Sequence, residues 1–309
     1  MKPEHSFNSL KGNDLSSSDA PKHEYLIVTA DDFGYSMQRD KGIIQAFNNG
    51  IITRASLLVN GQTAQTTAVT LAGKHGLPLG LHLNLTEGKP VLENDGSSLM
   101  SEGTVYFRGK FGFREALSRG EIDMMHVKDE VEAQIETYIK LVGYPPNHVD
   151  GHQHIHICPE IRDTIAQVMI SYSLHQIRIP LEPHLASWFD GNTVFYNHIF
   201  KEAKTAMDVY NKYQIRYPQA FMGISLMGKH MTTERIIQTY KATRTAAHQR
   251  PSVCEFMVHP GYPCFGNQGG CGEGPDEFAR SEEREHELNV LCDSELKRIL
   301  KELGVVFIS

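Results

Sequence analysis

The densest chemistry in the chain is His148-Val149-Asp150-Gly151-His152-Gln153-His154-Ile155-His156. Residues two apart on an extended strand share a face. Asp150, His152, His154 and His156 are therefore expected on one side for as long as the strand lasts. Neutral imidazole is a common ligand for divalent cations, and a nearby carboxylate either joins the shell or fixes a ring's tautomer. Three other segments carry matching groups. Asp31-Asp32 follows an apolar run and precedes Phe33-Gly34, His82 and Asn84 alternate within residues 79–85, and His259 precedes Pro260-Gly261. Each has an ordinary alternative: paired aspartates cap helices, a lone histidine on an apolar strand is a hydrogen-bonded core residue, and His259 could be a loop residue. Together they point to a metal site. His148, His156, His175, His184, His230 and His248 lack such support.

These groups need elements that aim them at one place. Residues 25–30 read as a buried strand, and Gly34 permits a sharp turn into a helix over 38–49. Strand-like runs at 54–59, 79–85, 176–180, 221–226, 254–258 and 305–308 alternate with helical patterns at 62–74, 125–142, 160–172, 197–213, 233–248 and 281–303. The histidine stretch adds a further strand. Residues 87–120 read as a long irregular segment of the kind that forms lids and binding loops. The alternation predicts one α/β domain over 23–309 with seven or eight mostly parallel strands. A (β/α) barrel is the leading architecture and a doubly wound open sheet the second. In a barrel the C-terminal strand ends surround one mouth. Asp31, Asp32, His82, His152, His154 and His259 all fall at or near such ends.

Composition removes several function classes. The chain has 309 residues, 40% hydrophobic and 22% charged, with a formal net charge of -7. That balance argues against nucleic acid as a general partner, because phosphate binding needs a basic face. Five cysteines, an odd number without a CxxC pair, do not make a disulfide or zinc-finger framework. No apolar run is long enough for a membrane span. Residues 1–22 are polar, lack a signal-peptide core and are expected to form a disordered tail. A cytoplasmic protein is expected, with the nucleus also open. The glycines at 269–274 lack the context of a phosphate-binding loop.

With Thr29-Ala30-Asp31-Asp32-Phe33-Gly34-Tyr35-Ser36 in view, the chain resembles the YdjC-like carbohydrate deacetylases, the family that includes chitooligosaccharide deacetylase. Further motifs follow in the family's order: Ala55-Ser56-Leu57-Leu58-Val59-Asn60-Gly61, Gly80-Leu81-His82-Leu83-Asn84-Leu85-Thr86-Glu87-Gly88-Lys89-Pro90, the histidine stretch, Ile177-Arg178-Ile179-Pro180 and Glu255-Phe256-Met257-Val258-His259-Pro260-Gly261-Tyr262. Cys271-Gly272-Glu273-Gly274-Pro275-Asp276 is similar to the eukaryotic branch. The resemblance implies a β/α-barrel-like fold and hydrolysis of N-acetyl groups on amino-sugar oligosaccharides. It implies Asp32, His82 and His152 as ligands of a divalent metal and Asp31 as proton acceptor. NodB-type deacetylases also use an Asp-His-His site, but keep both histidines in one short motif; here they stand in separate motifs.

On that reading Asp31 is the general base and His259 the candidate acid, with His154 second. Asp150 is placed to orient a ligand histidine. Aromatics of the 106–113 segment, and Trp188, are either sugar-stacking or ordinary packing. The resemblance favours Mg2+, whereas two imidazoles and a carboxylate suit zinc, manganese, iron or cobalt. A metal-dependent phosphoesterase and a non-catalytic scaffold are the alternatives. The expected partner is an acetylated oligosaccharide, and a homodimer is left open.

Overall fold

The structure is a computed structural model. It describes residues 24–92, 96–182, 184–246 and 252–309, without the side chains of 245 and 246. The tail expected at 1–22 lies outside these residues, as do His248 and the end of the helix expected to reach it.

The fold is built on β1 (Glu24–Phe33), which is buried along nearly its whole length. Its apolar, β-branched run fits a strand covered on both faces, as parallel sheets require. The others are β2 (Arg54–Leu57), β3 (Leu79–Leu83), β4 (Val149–Gly151), β5 (Ala220–Met222), β6 (Val253–Val258) and β7 (Val305–Phe307). Their order is β4-β3-β2-β1-β6-β5, with every pairing parallel. β7 pairs with residues 24–26 of β1 and β2 with residues 29–33, so the two share one edge of that strand while β6 takes the other.

The sheet curls as a half-barrel. Past β4 it continues through single parallel bridges, Val149 to Ile177 and Gln176 to Arg216. Arg216 lies just before β5, so the chain comes back toward the opposite edge. The strand expected at 176–180 is reduced to these bridges. Pro180 has no N–H to extend a ladder.

The helices cover the sheet's outer faces. α1 (Met37–Asn49) is capped by Ser36, whose side chain accepts from the Arg39 amide. One wide π turn at Ala64–Ala68 leads into α2 (Val69–His75). α3 (Gly109–Ser118) lies inside the segment expected to be irregular, with Phe113 fully buried. α4 (Met124–Val142) buries Val127, Val131, Ile135 and Tyr138 at helical spacing. α5 (Arg162–Ser171), α6 (Thr193–Lys212) and α7 (Thr233–Ala246) follow. α6 starts earlier than expected because Asn192 caps it. The single helix expected over 281–303 is broken. A short α8 (Glu277–Arg280) precedes α9 (Glu283–Leu291), and Asp293 caps a separate α10 (Ser294–Glu302).

The largest correction concerns the histidine stretch. β4 ends at Gly151, and residues His152–Ile157 form tight helical turns. Gln153 and His154 both adopt left-handed backbone angles, φ 53° and 61°. The expected common face of Asp150, His152, His154 and His156 is therefore broken after Asp150.

Candidate active site

β1 delivers two adjacent carboxylates to different partners. The ladder between β1 and β2 shifts register between Ala30 and Phe33, and Asp32 sits at φ 63°. Irregularities of this kind re-aim side chains next to functional sites. Asp40 secures the turn that follows: it accepts from the Gly34 amide at 2.7 Å and from the Thr63 hydroxyl at 2.6 Å.

Asp32 points at two histidines. Its Oδ1 lies 3.3 Å from His82 Nε2 and 3.3 Å from His152 Nδ1. The ligand atoms of these three buried residues lie within 4.8 Å of one another. Each ring is held from behind by a second carboxylate. His82 Nδ1 meets Asp150 Oδ1 at 2.5 Å, and His152 Nε2 meets Glu87 Oε2 at 2.9 Å. A ring that donates from one nitrogen leaves the lone pair of the other free for a cation.

The electrostatics agree with that arrangement. Burial works against charging His82, but Asp150 and Asp31 outweigh it and push its pKa up to about 10. Burial is outweighed at His152 by hydrogen bonds to Asp32 and Glu87, giving about 9. For Asp32, burial is overcome by the bonds from His152 and His82, which hold the carboxyl well below its usual range. The site thus draws positive charge to the point where three ligand atoms converge, and a divalent cation there would displace those protons. Two imidazole nitrogens and one carboxylate oxygen fit such an ion and leave positions for water and substrate.

Asp31 faces the other way. Arg178 grips it through both oxygens, at 2.6 and 2.7 Å, and also approaches Asp150 at 2.9 Å and Glu255 at 3.0 Å. Burial pushes the Asp31 carboxyl up, Arg178 pulls it down, and it rests at about 6. Asp31, His82 and Asp150 form a second convergent group. The guanidinium already contacts both of its carboxylates, so a second cation there would meet a fixed positive charge.

His259 stands 3.9 Å from Asp31 through Nε2. Its ring edges against Phe278, and burial holds it neutral, well below the usual imidazole pKa. Its backbone oxygen accepts from Arg39 and Arg284. His154 lines the same cleft but turns toward Tyr196, and its Nδ1 has no hydrogen-bond partner. His148 lies beneath Gly80, and His156 donates to the Arg178 carbonyl at 2.9 Å; both rings fill space under the strands.

Asp31, Asp32, His82, His152, His154 and His259 all line one cleft of about 430 Å³. Its aromatic walls are Tyr35, Phe189, Phe195, Tyr196 and Phe278. The aromatics singled out in the sequence do not line the cleft, although Phe111 packs edge-on against Phe195 with ring centroids 5.8 Å apart. Phe107 and Phe113 are buried in the core, Tyr106 borders a different groove, and the Trp188 indole donates to the Ser225 carbonyl outside the cleft. Sequence reasoning also missed Glu87 and Arg178. Both lie inside the recognised motifs, but their partners come from distant segments.

A family model described as YdjC-like protein matches residues 25–302. The chain belongs to the YdjC-like family. Similar relatives include the carbohydrate deacetylase of Mus musculus, 42% identical over 91% of this chain and 92% of that protein. The Homo sapiens carbohydrate deacetylase is 41% identical over 91% and 88%. The chitooligosaccharide deacetylase of Serratia marcescens matches at 38% over 44% of this chain and 52% of its own. The mouse and human relatives thus match nearly the whole YdjC-like chain. Among solved structures, a protein of Enterococcus faecalis V583 shares the fold with a TM-score of 0.72 at 22% identity, covering 93% of this chain and 97% of that one.

Proposed function

We propose that this YdjC-like protein is a metal-dependent hydrolase that removes N-acetyl groups from amino-sugar oligosaccharides and releases acetate. The observation that carries the reading is the convergence of Asp32, His82 and His152 beside a separately held Asp31 in one cleft. Relatives named as carbohydrate and chitooligosaccharide deacetylases supply the substrate class. The reading treats residues 23–309 as one catalytic domain.

A divalent cation held by Asp32, His82 and His152 supplies Lewis acidity for the acetamide carbonyl and for the attacking water. On ligand chemistry we assign a transition metal such as zinc rather than magnesium, which prefers an all-oxygen shell. Asp31 accepts the proton as water adds to the carbonyl carbon. Arg178 holds both of its oxygens, fixing the base and tempering its basicity. The C–N bond then breaks, and the departing nitrogen needs a proton. His259 is the better-placed donor: it stands 3.9 Å from Asp31 and can relay the proton Asp31 has taken. His154 has its ring against Tyr196 instead.

The phosphoesterase alternative is weakened by Arg178, which holds the carboxylates a second cation would need. The test is acetate release from N-acetylated chitooligosaccharides by the purified protein, before and after chelation and with metals added back. Release that stops on chelation and returns with one metal is expected. Undiminished release after full metal removal would overturn the metal-dependent mechanism, and no release with any metal would overturn the substrate class.

A further inference from the structure

Glu87 belongs to no ligand set, yet it reaches the site and is tied to two loops. Its carboxylate accepts from His152 Nε2 at 2.9 Å, on the ring edge opposite the nitrogen that faces Asp32. Its backbone is held by an Asx turn. The Asn84 side chain accepts from the Thr86 and Glu87 amides at 2.9 and 3.0 Å and donates to the Glu87 carbonyl at 2.8 Å. Asn84 is itself clamped by Gln134 of α4, through both its amide and its carbonyl. Four residues earlier in α4, Glu130 accepts the Val91 and Leu92 amides.

The glycine-rich loop closes over the same turn. The Gly88 amide donates to Glu273 at 3.0 Å and the Lys89 amide to the Cys271 carbonyl at 2.8 Å. Gly88 has φ 73°, and any Cβ there would overlap Cys271. The Gly270 carbonyl in turn accepts from the Gln62 amide. Gly88 thus lets one backbone lie directly on the other behind Glu87, while Gly270 packs against the Gly274 backbone within its own loop, which has no phosphate-loop context.

We propose that Glu87 is a positioning residue for the metal. By accepting the Nε2 proton it commits His152 to bind through Nδ1, while Asp150 commits His82 to bind through Nε2. The brace of loops 84–92 and 270–274 is thereby coupled to metal occupancy. The proposal rests on the metal reading of the site. A partner carboxylate behind a ligand histidine typically changes metal affinity 10- to 100-fold. Coupling is also reciprocal: if the brace strengthens metal binding, the metal must stabilise the brace.

The experiment is metal titration of apo-protein by calorimetry, with amide hydrogen exchange on the apo and metal-loaded forms. Glu87→Gln keeps the side-chain shape and removes the charge; a loss of roughly 10-fold or more in affinity is expected, with Glu87→Asp partly restoring it. Gly88→Ala touches no ligand and is expected to weaken binding by forcing Cys271 away. Metal should slow exchange at 84–90 and 270–274 in the wild-type protein and not in Glu87→Ala. Wild-type affinity in both Glu87→Gln and Glu87→Ala, with circular dichroism unchanged, overturns the proposal. If His152→Ala also binds metal normally, the ligand assignment falls, and the proposal with it.

Discussion

At the scale of single residues, the site separates tasks between neighbours. Asp31 and Asp32 are adjacent, yet one is held by a guanidinium and the other by two imidazoles. That division makes a sharp prediction. Asp31→Asn should keep its metal and lose deacetylation by about 10²- to 10⁴-fold, the usual worth of a general base. His82→Ala and His152→Ala should instead lower the metal content of the purified protein. Elemental analysis and acetate release read the two effects independently. Full turnover in Asp31→Asn would remove it from the role of base, and full metal occupancy in both histidine variants would move the ligands elsewhere.

At the scale of elements, strand ends set the site's geometry and buried side chains set the strands. β3 passes over His148 at Gly80, and a methyl group at that position would overlap the imidazole. Gly80→Ala should therefore cost about 1–3 kcal/mol, as overpacking does in a filled core. It should also weaken metal binding, because His82 lies two residues further along the same strand. Urea denaturation and metal titration check this, and a variant as stable as the wild type would show that β3 can shift freely. The histidine stretch shows the limit of strand periodicity. Alternation describes Asp150 correctly, since β4 covers it, but two left-handed residues send His154 to Tyr196. No period in the residue pattern announces such a turn, because its cause is the packing around it.

At the scale of the whole molecule, the cleft rests on buried charge. Arg178, fully buried, meets Asp31, Asp150 and Glu255, which come from three separate strands. Breaking such a set is far costlier than its net contribution to folding, because the remaining charges lose their compensation. Asp40 adds a pH dependence of its own. Burial raises its carboxyl from 3.8 to about 7, against the pull of its hydrogen bonds to Thr63 and Gly34. Its contribution to stability is then full below about pH 4 and is lost as pH rises through 7. Asp40→Asn can accept from Gly34 and donate to Thr63 without a charge. It should therefore show a smaller fall in unfolding free energy between pH 5 and pH 8 than the wild type. Equal falls in the two proteins would mean Asp40 is not the source. No helix among the described residues is long and apolar enough to cross a membrane.

The sequence by itself determined the strand–helix alternation, the parallel sheet and the family. Apolar runs and helical spacing are local properties, and the motifs quote themselves in order. It also named Asp31, Asp32, His82, His152 and His259, all of which line the cleft. Tertiary structure alone decided which nitrogen of each histidine faces Asp32 and that Arg178 occupies the second carboxylate group. It also put Phe189, Phe195 and Tyr196, rather than the aromatics of the 106–113 segment, in the wall. Those facts depend on contacts between segments far apart in the chain. The sheet's curl creates them, and local sequence carries no record of what a side chain will meet across it.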